Sequence, residues 1–427
     1  MSSPATILTT LRAEARPAPD ARATLDLLES VALYLHIPFC HAKCHYCDFN
    51  SYAGMLGLRE EYVAALRDEI GLAGYRARLA SGRPRRCRTV FFGGGTPSLL
   101  TPEQIADLMA AIRAAFALDA DAEVTMEANP GALEYGQLDA VRAAGVNRLS
   151  MGAQSFNADL LRWMGRIHTP DEIETAYRAA RAAGFTNINL DFIFALPGQT
   201  QAVWQDTLER AVALSPDHLS LYNLIVEEGT PLYTWVRRGS VREVDEDTAA
   251  DMYEAAQEWL ARAGYLPYEI SNWAKPGHAC AHNLIYWRNV PWIGLGAGGA
   301  SFYAGQRFTN ARPIRGYIKR VCEALAAEEA GVAGRETLPA AAIATRETIS
   351  RELEMGETAM LGLRLNEGLR LDAFAARYGV GFWETYGERL AEFRALDLIE
   401  EADGYARLTQ RGRMVGNEIF ARVLPDE

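Results

Sequence analysis

Strand-like and helix-like segments alternate at least six times between residues 31 and 224 of this chain of 427 residues. The strand-like segments are short and rich in β-branched and aromatic residues, as in VALYLHI from Val31 to Ile37 and HLSLYNL from His218. The segments between them, such as TPEQIADLMAAIRAAF, have apolar residues at helical spacing, and several open on Thr-Pro and close on Gly. Such alternation predicts parallel strands joined by crossover helices, in a doubly wound sheet or in a full or partial (β/α) barrel.

Polar or glycine-rich residues follow nearly every predicted strand. A cysteine-rich stretch follows the first strand, GGGTPS follows the second, and Glu127 with ANP closes the third. The next two strands carry GAQSF and Asp191. Because barrel enzymes hold their sites at the carboxyl ends of the strands, we predict a partial (β/α) barrel rather than an open sheet.

The alternation is expected to stop at GHACAHNLIYWRNVPWIGLGAGGASF, after which an Ala/Glu-rich connection follows. The remainder predicts helices, then a strand-turn-strand around Asp403 and Gly404, then a last helix. Helices with a β-wing are typical of a winged-helix-like module. The predicted domains are a mobile N-terminus (1–24), the barrel with its connecting segment (25–323) and a C-terminal helical or winged module (345–427).

The net charge and the cysteine usage exclude several classes of protein. A formal charge of -12 and a pI near 5.3 argue against a broad nucleic-acid-binding surface. The chain has neither an apolar run long enough to span a membrane nor a secretory leader pattern at its start. Its six cysteines do not form a disulfide framework. We therefore predict a cytoplasmic protein.

Three of the six cysteines lie within eight residues, in the stretch CHAKCHYCDF: Cys40, Cys44 and Cys47. Thiolates at this spacing suit zinc or an iron-sulfur cluster. A structural zinc site usually takes four protein ligands, so one of the nearby histidines would have to be the fourth. A [4Fe-4S] cluster held by three cysteines leaves one iron open to a ligand with amino and carboxylate groups. The cysteines alone leave zinc, a cluster and plain buried thiols all open.

The ordered set of motifs resembles the radical S-adenosylmethionine (SAM) superfamily: CxxxCxxC after YLHIPF, then GGGTP, EANP, GAQSF and DFIFALPGQT. More narrowly, the chain resembles the oxygen-independent coproporphyrinogen III oxidase-like family, from about Tyr34 to the C-terminus. The resemblance implies an α/β fold, a partial (β/α) TIM-like barrel of the radical SAM type. It also implies a [4Fe-4S] cluster whose open iron chelates SAM and whose electron cleaves SAM to a 5′-deoxyadenosyl radical.

Carried over position by position, the resemblance implies that the cluster ligands are Cys40, Cys44 and Cys47. It implies SAM contacts from residues at or near the strand ends: Tyr34, Tyr46, Gly94, Gly95, Thr96, Glu127, Gln154, Arg166 and Asp191. The chemistry of these residues is compatible with that role. Glu127 and Asp191 can accept hydrogen bonds from amino or ribose hydroxyl groups, and Arg166 can pair with a carboxylate.

Two features distinguish the branches of this family. The oxidase branch carries a further cysteine where this chain has Phe49, whereas the haem chaperone HemW branch carries CxxxCxxCxF and HNxxYW. The chain matches the second signature at His282, Asn283, Tyr286 and Trp287. An imidazole can ligate haem iron, and the aromatic rings can stack on a flat macrocycle. Without the family context, these residues would be interpreted as a turn cap and core aromatics.

The resemblance therefore implies a haem chaperone that binds haem and transfers it to an acceptor protein. Its implied cofactors are the [4Fe-4S] cluster, SAM and haem. The implied partners are a haem-accepting protein and an electron donor, with peripheral association to a membrane and no nucleic acid. The alternatives are an oxygen-independent coproporphyrinogen III oxidase, whose activity is not expected, a radical SAM methyltransferase, and a zinc-stabilised binding module.

Overall fold

The computed structural model describes residues 28–331 and 338–425. The N-terminal segment predicted for residues 1–24 lies outside the described residues. None of the helices in the two described ranges combines the length and the apolarity that a membrane span requires.

Seven parallel strands form the centre of the main sheet. Their bounds are β1 Ser30–Ile37, β2 Arg86–Gly94, β3 Ala117–Ala128, β4 Arg148–Gln154, β5 Ile188–Phe194, β6 His218–Asn223 and β7 Trp292–Leu295. The order across the sheet is β7-β1-β2-β3-β4-β5-β6. The first six were all predicted from the sequence.

Short antiparallel strands extend both edges of this sheet to twelve strands in all. Asn272–Ala274 and Leu266–Pro267 lie beyond β6, and Ala300–Tyr303, Gln306–Asn310 and Ile343–Thr348 lie beyond β7. Within the described residues the two outer strands are not paired with each other, so the barrel is partial, as predicted.

Helices connect successive strands, and their starts follow the predicted signals. They are Arg59–Ser81, Pro102–Ala115, Leu138–Ala144, Ala158–Trp163, Pro170–Ala182, Gln201–Leu214, Pro231–Arg237 and Glu246–Arg262. Thr101 and Thr169 each precede a helical proline and form a capping box with the residue three positions on. The box satisfies backbone N–H groups at the helix start, which explains why Thr-Pro marks these boundaries.

The two faces of the parallel strands differ in polarity. Leu33, Leu149 and Leu190 are fully buried in the main hydrophobic core, on the face that the helices cover. The alternating positions on the other face are polar, and Asn189 Nδ2 donates to Ser150 Oγ across the strands at 2.8 Å. TIM barrels commonly fill this interior with branched apolar side chains. The polar interior found here offers hydrogen-bonding groups to a ligand.

The prediction that the alternation stops after β6 is wrong. A short helix, Ala281–Trp287, precedes β7, and β7 pairs in parallel with β1 from Ala32↔Trp292 to Leu35↔Leu295. β7 has only four residues and runs into a glycine-rich loop. Such a segment lacks the apolar run by which a strand is recognised in a sequence.

The chain after the main sheet forms a unit with its own hydrophobic core. Its helices are Arg351–Arg364, Leu371–Tyr378, Phe382–Tyr386, Ala391–Ala395, Gln410–Met414 and Gly416–Ala421. The strands Leu369–Arg370, Ile399–Ala402 and Tyr405–Leu408 make a small antiparallel sheet. This is the predicted helical, winged-helix-like module.

The hairpin in this module has the predicted turn. Asp403 and Gly404 both have positive φ, 54° and 82°, as tight hairpin turns require.

The predicted domain limits stay a prediction. The strand Ile343–Thr348, which spans the predicted boundary at residue 345, pairs with Gln306–Asn310 in the main sheet.

Candidate functional site

The residues predicted to hold the cluster and SAM gather at one edge of the sheet. The cysteines and Tyr46 follow β1, Gly94 ends β2, Glu127 lies near the end of β3, and Gln154 ends β4. Because the strands are parallel, their carboxyl ends share this edge. We refer to it as the barrel mouth.

Each cysteine of the trio has its own polar neighbour. Cys40 Sγ accepts a hydrogen bond from Thr96 Oγ1 at 3.5 Å, and Cys44 Sγ accepts one from Arg166 Nη1 at 3.5 Å. Cys47 Sγ lies 3.9 Å from a serine hydroxyl in the same loop. All three are free thiols.

The arrangement of the thiols is compatible with a cluster. No three His, Cys, Asp or Glu side chains within residues 28–331 and 338–425 meet closely enough to hold one metal ion. A zinc site needs donors that converge on a single ion at about 2.0–2.3 Å. In an iron-sulfur cluster each cysteine binds a different iron, so the thiols stand apart. Three thiols with separate neighbours therefore fit the cluster.

The glycines at the end of β2 allow close backbone packing. Gly94 has a φ of 116°, and a Cβ atom there would lie 2.6 Å from the His36 ring. A Cβ atom on Gly95 would lie 2.6 Å from the carbonyl oxygen of Phe39. Only glycine fits at both positions. The end of β2 therefore presents bare backbone to the cysteine loop.

His36 ties β1 to the cysteine loop. Its Nε2 donates to the carbonyl oxygen of Asn50 at 2.9 Å, so its Nδ1 accepts from Tyr34 Oη at 3.1 Å. Burial lowers the pKa of His36, which keeps this ring neutral and preserves the two roles. Tyr34 thereby lies beside the loop.

Two carboxyl groups lie deep in the barrel, although neither is sealed from solvent. The loss of water around Glu127 raises its pKa to about 7; the charge of Asp191 adds to this, and the Gly94 N–H opposes it. Desolvation also raises the pKa of Asp191. Hydrogen bonds from Asn189 and Ser150, at 2.8 and 3.2 Å, act in the opposite direction and lower it. A cationic ligand between these groups would favour their ionised forms.

Arg166 bridges the cysteine loop and the end of β4. Besides Cys44, it contacts the carbonyl oxygen of Gly152, to which its Nη2 donates at 2.8 Å. A Cβ atom on Gly152 would lie 2.8 Å from Gln154 Nε2, so the Gln154 side chain folds over the same glycine. Tyr46 lies beside Arg166, and desolvation raises its pKa. These three side chains therefore line one side of the mouth.

The HNLIYW signature lies beside this group: burial chiefly, and the nearby Tyr286 in addition, raise the pKa of Tyr34. Its residues form the helix Ala281–Trp287, and His282 is only 1% exposed. His282 Nδ1 is hydrogen-bonded to Thr89 Oγ1 at 2.8 Å, and its Nε2 to Tyr286 Oη at 2.9 Å. Burial lowers the pKa of His282 to about 3. Both ring nitrogens are therefore engaged inside the protein.

This helix sits under the mouth, further down the barrel. Glu123 accepts the backbone N–H groups of Ala281 and His282, each at 3.0 Å. Thr89 and Glu123 precede Gly94 and Glu127 on their strands by five and four residues. At about 3.3 Å per residue, these contacts at the start of the helix lie roughly 13 to 16 Å below the mouth.

The other two signature residues, Asn283 and Trp287, have different surroundings. Asn283 Nδ2 donates to Tyr268 Oη at 3.2 Å and to Glu269 Oε1 at 3.4 Å. Trp287 lines a cleft that is open to solvent, against the C-terminal module. Its buried Nε1 has no hydrogen-bond partner among the described residues.

Sequence reasoning missed Arg148, which is 2% exposed in the barrel interior. Burial would lower its pKa, but the nearby Cys280 and Glu123 raise it. The signal for it was present: in RLSMG and EVTMEA, polar side chains alternate with apolar ones, which places them on the interior face.

Comparison with known proteins gives the following matches. Residues 34–211 match the radical SAM superfamily, and residues 349–415 match the HemN C-terminal domain. The chain is 36% identical to the heme chaperone HemW of Bacillus subtilis over 92% of this chain and 98% of that protein. It is 37% identical to heme chaperone HemW of Mycobacterium tuberculosis over 92% and 94%. It is 40% identical to that of Escherichia coli over 68% and 76%.

A solved structure resembles the whole chain. It is coproporphyrinogen III oxidase (HemN) from Escherichia coli, a radical SAM enzyme, with a TM-score of 0.76 and 24% identity. The match covers 96% of this chain and 94% of the other. At this identity the likeness shows the fold alone, which is the partial barrel of the radical SAM type with its C-terminal module.

Proposed function

The chain belongs to the heme chaperone HemW family of radical SAM proteins, and we propose that it binds haem and transfers it to an acceptor protein. One observation carries this proposal: the 36% identity to the Bacillus chaperone extends over 98% of that protein, so both the barrel and the C-terminal module correspond. The oxidase and methyltransferase alternatives are not favoured, because the likeness to the solved oxidase supports only a common fold.

The cofactors of this protein are a [4Fe-4S] cluster and SAM, and haem is the cargo. Cys40, Cys44 and Cys47 would hold three irons of the cluster. The contacts of Thr96 and Arg166 to two of these sulfurs support the assignment, since hydrogen bonds to ligating sulfur tune such clusters. When bound and reduced, the cluster would supply SAM with one-electron reduction.

The residues that would hold SAM lie at the mouth and, for the two carboxyl groups, deeper in the barrel: Tyr34, Tyr46, Gly94, Gly95, Thr96, Glu127, Gln154, Arg166 and Asp191. The glycines let a ligand approach the β2 backbone, and the Glu127 carboxylate accepts from an amino group. The positive sulfonium of SAM matches the two deep carboxyl groups. Arg166 and Gln154 together offer donors to a carboxylate or an adenosine.

A role in haem binding was predicted for His282, Asn283, Tyr286 and Trp287. The geometry argues against it for His282 and is compatible with it for Trp287. Haem ligation by His282 would require that its ring give up two hydrogen bonds and leave a buried position. Its contacts favour a role in holding the helix under the barrel. Trp287, by contrast, lines an open cleft, and its indole N–H has no acceptor in the part of the chain that the structure describes.

The proposal also includes a cytoplasmic location and two protein partners. All six cysteines are free thiols, which suits the reducing cytoplasm. The partners are a haem-accepting protein and an electron donor that reduces the cluster. The negative net charge of -12 disfavours nucleic acid, and contact with a membrane would be peripheral.

The test compares haem binding and oxidase activity on the same preparation. The cluster is reconstituted without oxygen, haem is titrated in while the absorbance is followed, and the loaded protein is mixed with an apo-globin as acceptor. In parallel, coproporphyrinogen III and SAM are added with a reductant, and both decarboxylated product and S-adenosylhomocysteine are measured. We expect haem binding and transfer without decarboxylation or methyl transfer. Decarboxylation by a protein that binds no haem would refute the proposal.

A further inference from the structure

Haem iron is commonly held by an imidazole nitrogen, and that nitrogen must be free of other bonds. All seven histidines of the chain lie in the described residues. Four of them are buried with both ring nitrogens hydrogen-bonded inside the protein: His36, His168, His218 and His282. A fifth, His45, donates from Nδ1 to the backbone carbonyl oxygen of Trp163 at 2.8 Å, packs edge-on against the Trp235 ring, and has its Nε2 packed against Gly165.

The two remaining histidines lie at opposite ends of the barrel. His41 stands between Cys40 and Cys44 and is exposed at the mouth. His278 is half-buried in the turn after Asn272–Ala274, whose last residue pairs with His218 at the start of β6. That turn is therefore at the amino-terminal end of the strands.

Several large apolar side chains are exposed around the mouth. Phe49, on the same loop as His41, is 59% exposed. Ile167, next to the Cys44 contact Arg166, is 44% exposed, and Ile225, just after β6, is 65% exposed. Large apolar side chains exposed around one opening indicate a binding surface for an apolar partner.

The surroundings of His278 are polar. The Lys275 ammonium donates to the carbonyl and hydroxyl oxygens of Ser215 at 3.0 and 2.8 Å. Arg181 and Asp217 form an ion pair of 2.7 Å close by, since the backbone N–H of Lys275 donates to the Asp217 carbonyl oxygen. These groups are already satisfied by one another, and they offer little apolar surface to a macrocycle.

Cations flank the exposed loop at the mouth. Lys43 is exposed, and its Nζ donates to the carbonyl oxygen of Phe49 at 3.0 Å. Arg312 is also exposed, and its carbonyl oxygen accepts from Asn50 and Tyr52 of the loop at 3.0 and 3.2 Å. Two positive side chains beside an apolar surface complement the two propionates of haem.

We propose that haem docks at the barrel mouth over the cysteine loop, with His41 as the iron ligand. Phe49 and Ile225 contact the macrocycle, and Lys43 and Arg312 pair with its propionates. This assignment rests on the proposed haem-chaperone function and specifies its binding site. It puts the cargo beside the cluster rather than at the HNLIYW helix.

The cleft beside Trp287 is the main competing location. It has an apolar floor that includes Leu369 and Phe374, with arginines at its rim. Its lining contains no histidine, cysteine or methionine among the described residues. Of the side chains that commonly hold haem iron, this cleft would therefore offer only the Tyr405 hydroxyl.

The experiment titrates ferric haem into the cluster-reconstituted chain and its variants, and records absorbance and the electron paramagnetic resonance of the iron. We expect His41→Ala to weaken haem binding at least about tenfold, since even residues that only support a metal ligand contribute this much, and to remove the imidazole-ligation signature. His278→Ala is the matched control and should bind as the wild type does. Phe49→Ser should weaken binding while the iron keeps its imidazole signature.

His41 neighbours a cluster ligand, so a structural effect must be separated from ligation. Iron content and SAM binding are measured for each variant, and His41→Gly is titrated again with added imidazole. Free imidazole should restore the ligation signature, which a merely structural role would not allow. Unaltered haem binding in His41→Ala, or loss of binding in His278→Ala or Trp287→Ala instead, would overturn the assignment. Absence of haem binding by the wild type would refute the chaperone function itself.

Discussion

The Glu127 carboxylate accepts a 3.0 Å hydrogen bond from the backbone N–H of Gly94, which joins the end of β3 to the end of β2. Desolvation raises the pKa of Glu127 to about 7. The carboxyl is therefore half ionised near neutral pH. Because the folded state binds this proton more tightly than the unfolded chain does, the contribution of Glu127 to stability declines as the pH rises from about 4.5 to 7.

SAM binding should depend on this ionisation. Only the ionised carboxylate attracts a cationic ligand, and its fraction rises about tenfold between pH 6 and pH 8 for a pKa near 7. We expect SAM affinity in the cluster-loaded protein to rise by a similar factor, measured by calorimetry. Glu127→Gln should bind more weakly at pH 8 and lose the pH dependence. A flat profile in the wild type would contradict this role.

Gly94→Ala should lower the free energy of unfolding because the added methyl group would clash with the His36 ring. The new Cβ atom would lie 2.6 to 2.9 Å from three atoms of the His36 ring, which is held by Tyr34 and Asn50. We expect a loss of about 3 kcal/mol in the free energy of unfolding and reduced cluster uptake.

Gly82→Ala is the matched control for this substitution. Gly82 also has a positive φ, 74°, but a Cβ atom added there would have no neighbour within 4 Å among the described residues. It should lose only about 1 kcal/mol, from backbone strain alone. Equal losses in urea unfolding of the two variants would show that contact with His36 is unimportant.

Most of the barrel could be predicted because local sequence patterns mark its strands and helices. β3 shows the limit: it begins at Ala117 rather than at the predicted Glu123, and there Ala117 pairs with Arg86 beside a bulge in β2. The segment ALDADA has too few β-formers to signal a strand, and only its neighbour makes it one.

The cysteine motif and the strand ends located the mouth, but the position of the HNLIYW helix could not be predicted. His282 is fixed by Thr89 and Glu123, which are more than 150 residues away in sequence. The sequence shows that a histidine is present, but whether that histidine is buried depends on which strands its helix packs against. The interior charge of Arg148 depends in the same way on packing.

Single replacements of the clustered cysteines test the cluster assignment. Cys40→Ser, Cys44→Ser and Cys47→Ser should each fall well below about four irons per chain after reconstitution, because a serine hydroxyl replaces a soft thiolate. Cys322→Ser is the control, since Cys322 is exposed on a distant helix. Iron and zinc are both quantified. Full iron content in all three variants, or stoichiometric zinc in the wild type, would contradict the assignment.

Glu69 organises the closure of the barrel beside β7. It is fully buried in the helix Arg59–Ser81, and its carboxylate accepts four hydrogen bonds. The donors are the N–H of Gly296 at 2.7 Å, Asn310 Nδ2 at 2.8 Å, Tyr317 Oη at 2.8 Å and the N–H of Ala341 at 3.1 Å. One acceptor thus joins four segments that follow β7 in the chain.

Glu69→Gln should destabilise the protein by about 2 to 4 kcal/mol, because an amide NH₂ would face donors where an oxygen now accepts. Desolvation raises the pKa of Glu69. A protonated Glu69 carboxyl, like the amide of glutamine, would present a donor to groups that are themselves donors. Urea unfolding of the apo-protein measures the loss, and Glu61→Gln, exposed on the same helix, should change little. If Glu69→Gln were as stable as Glu61→Gln, the four donors would have to find other acceptors, and this carboxylate would not be what holds the segments after β7 against the barrel.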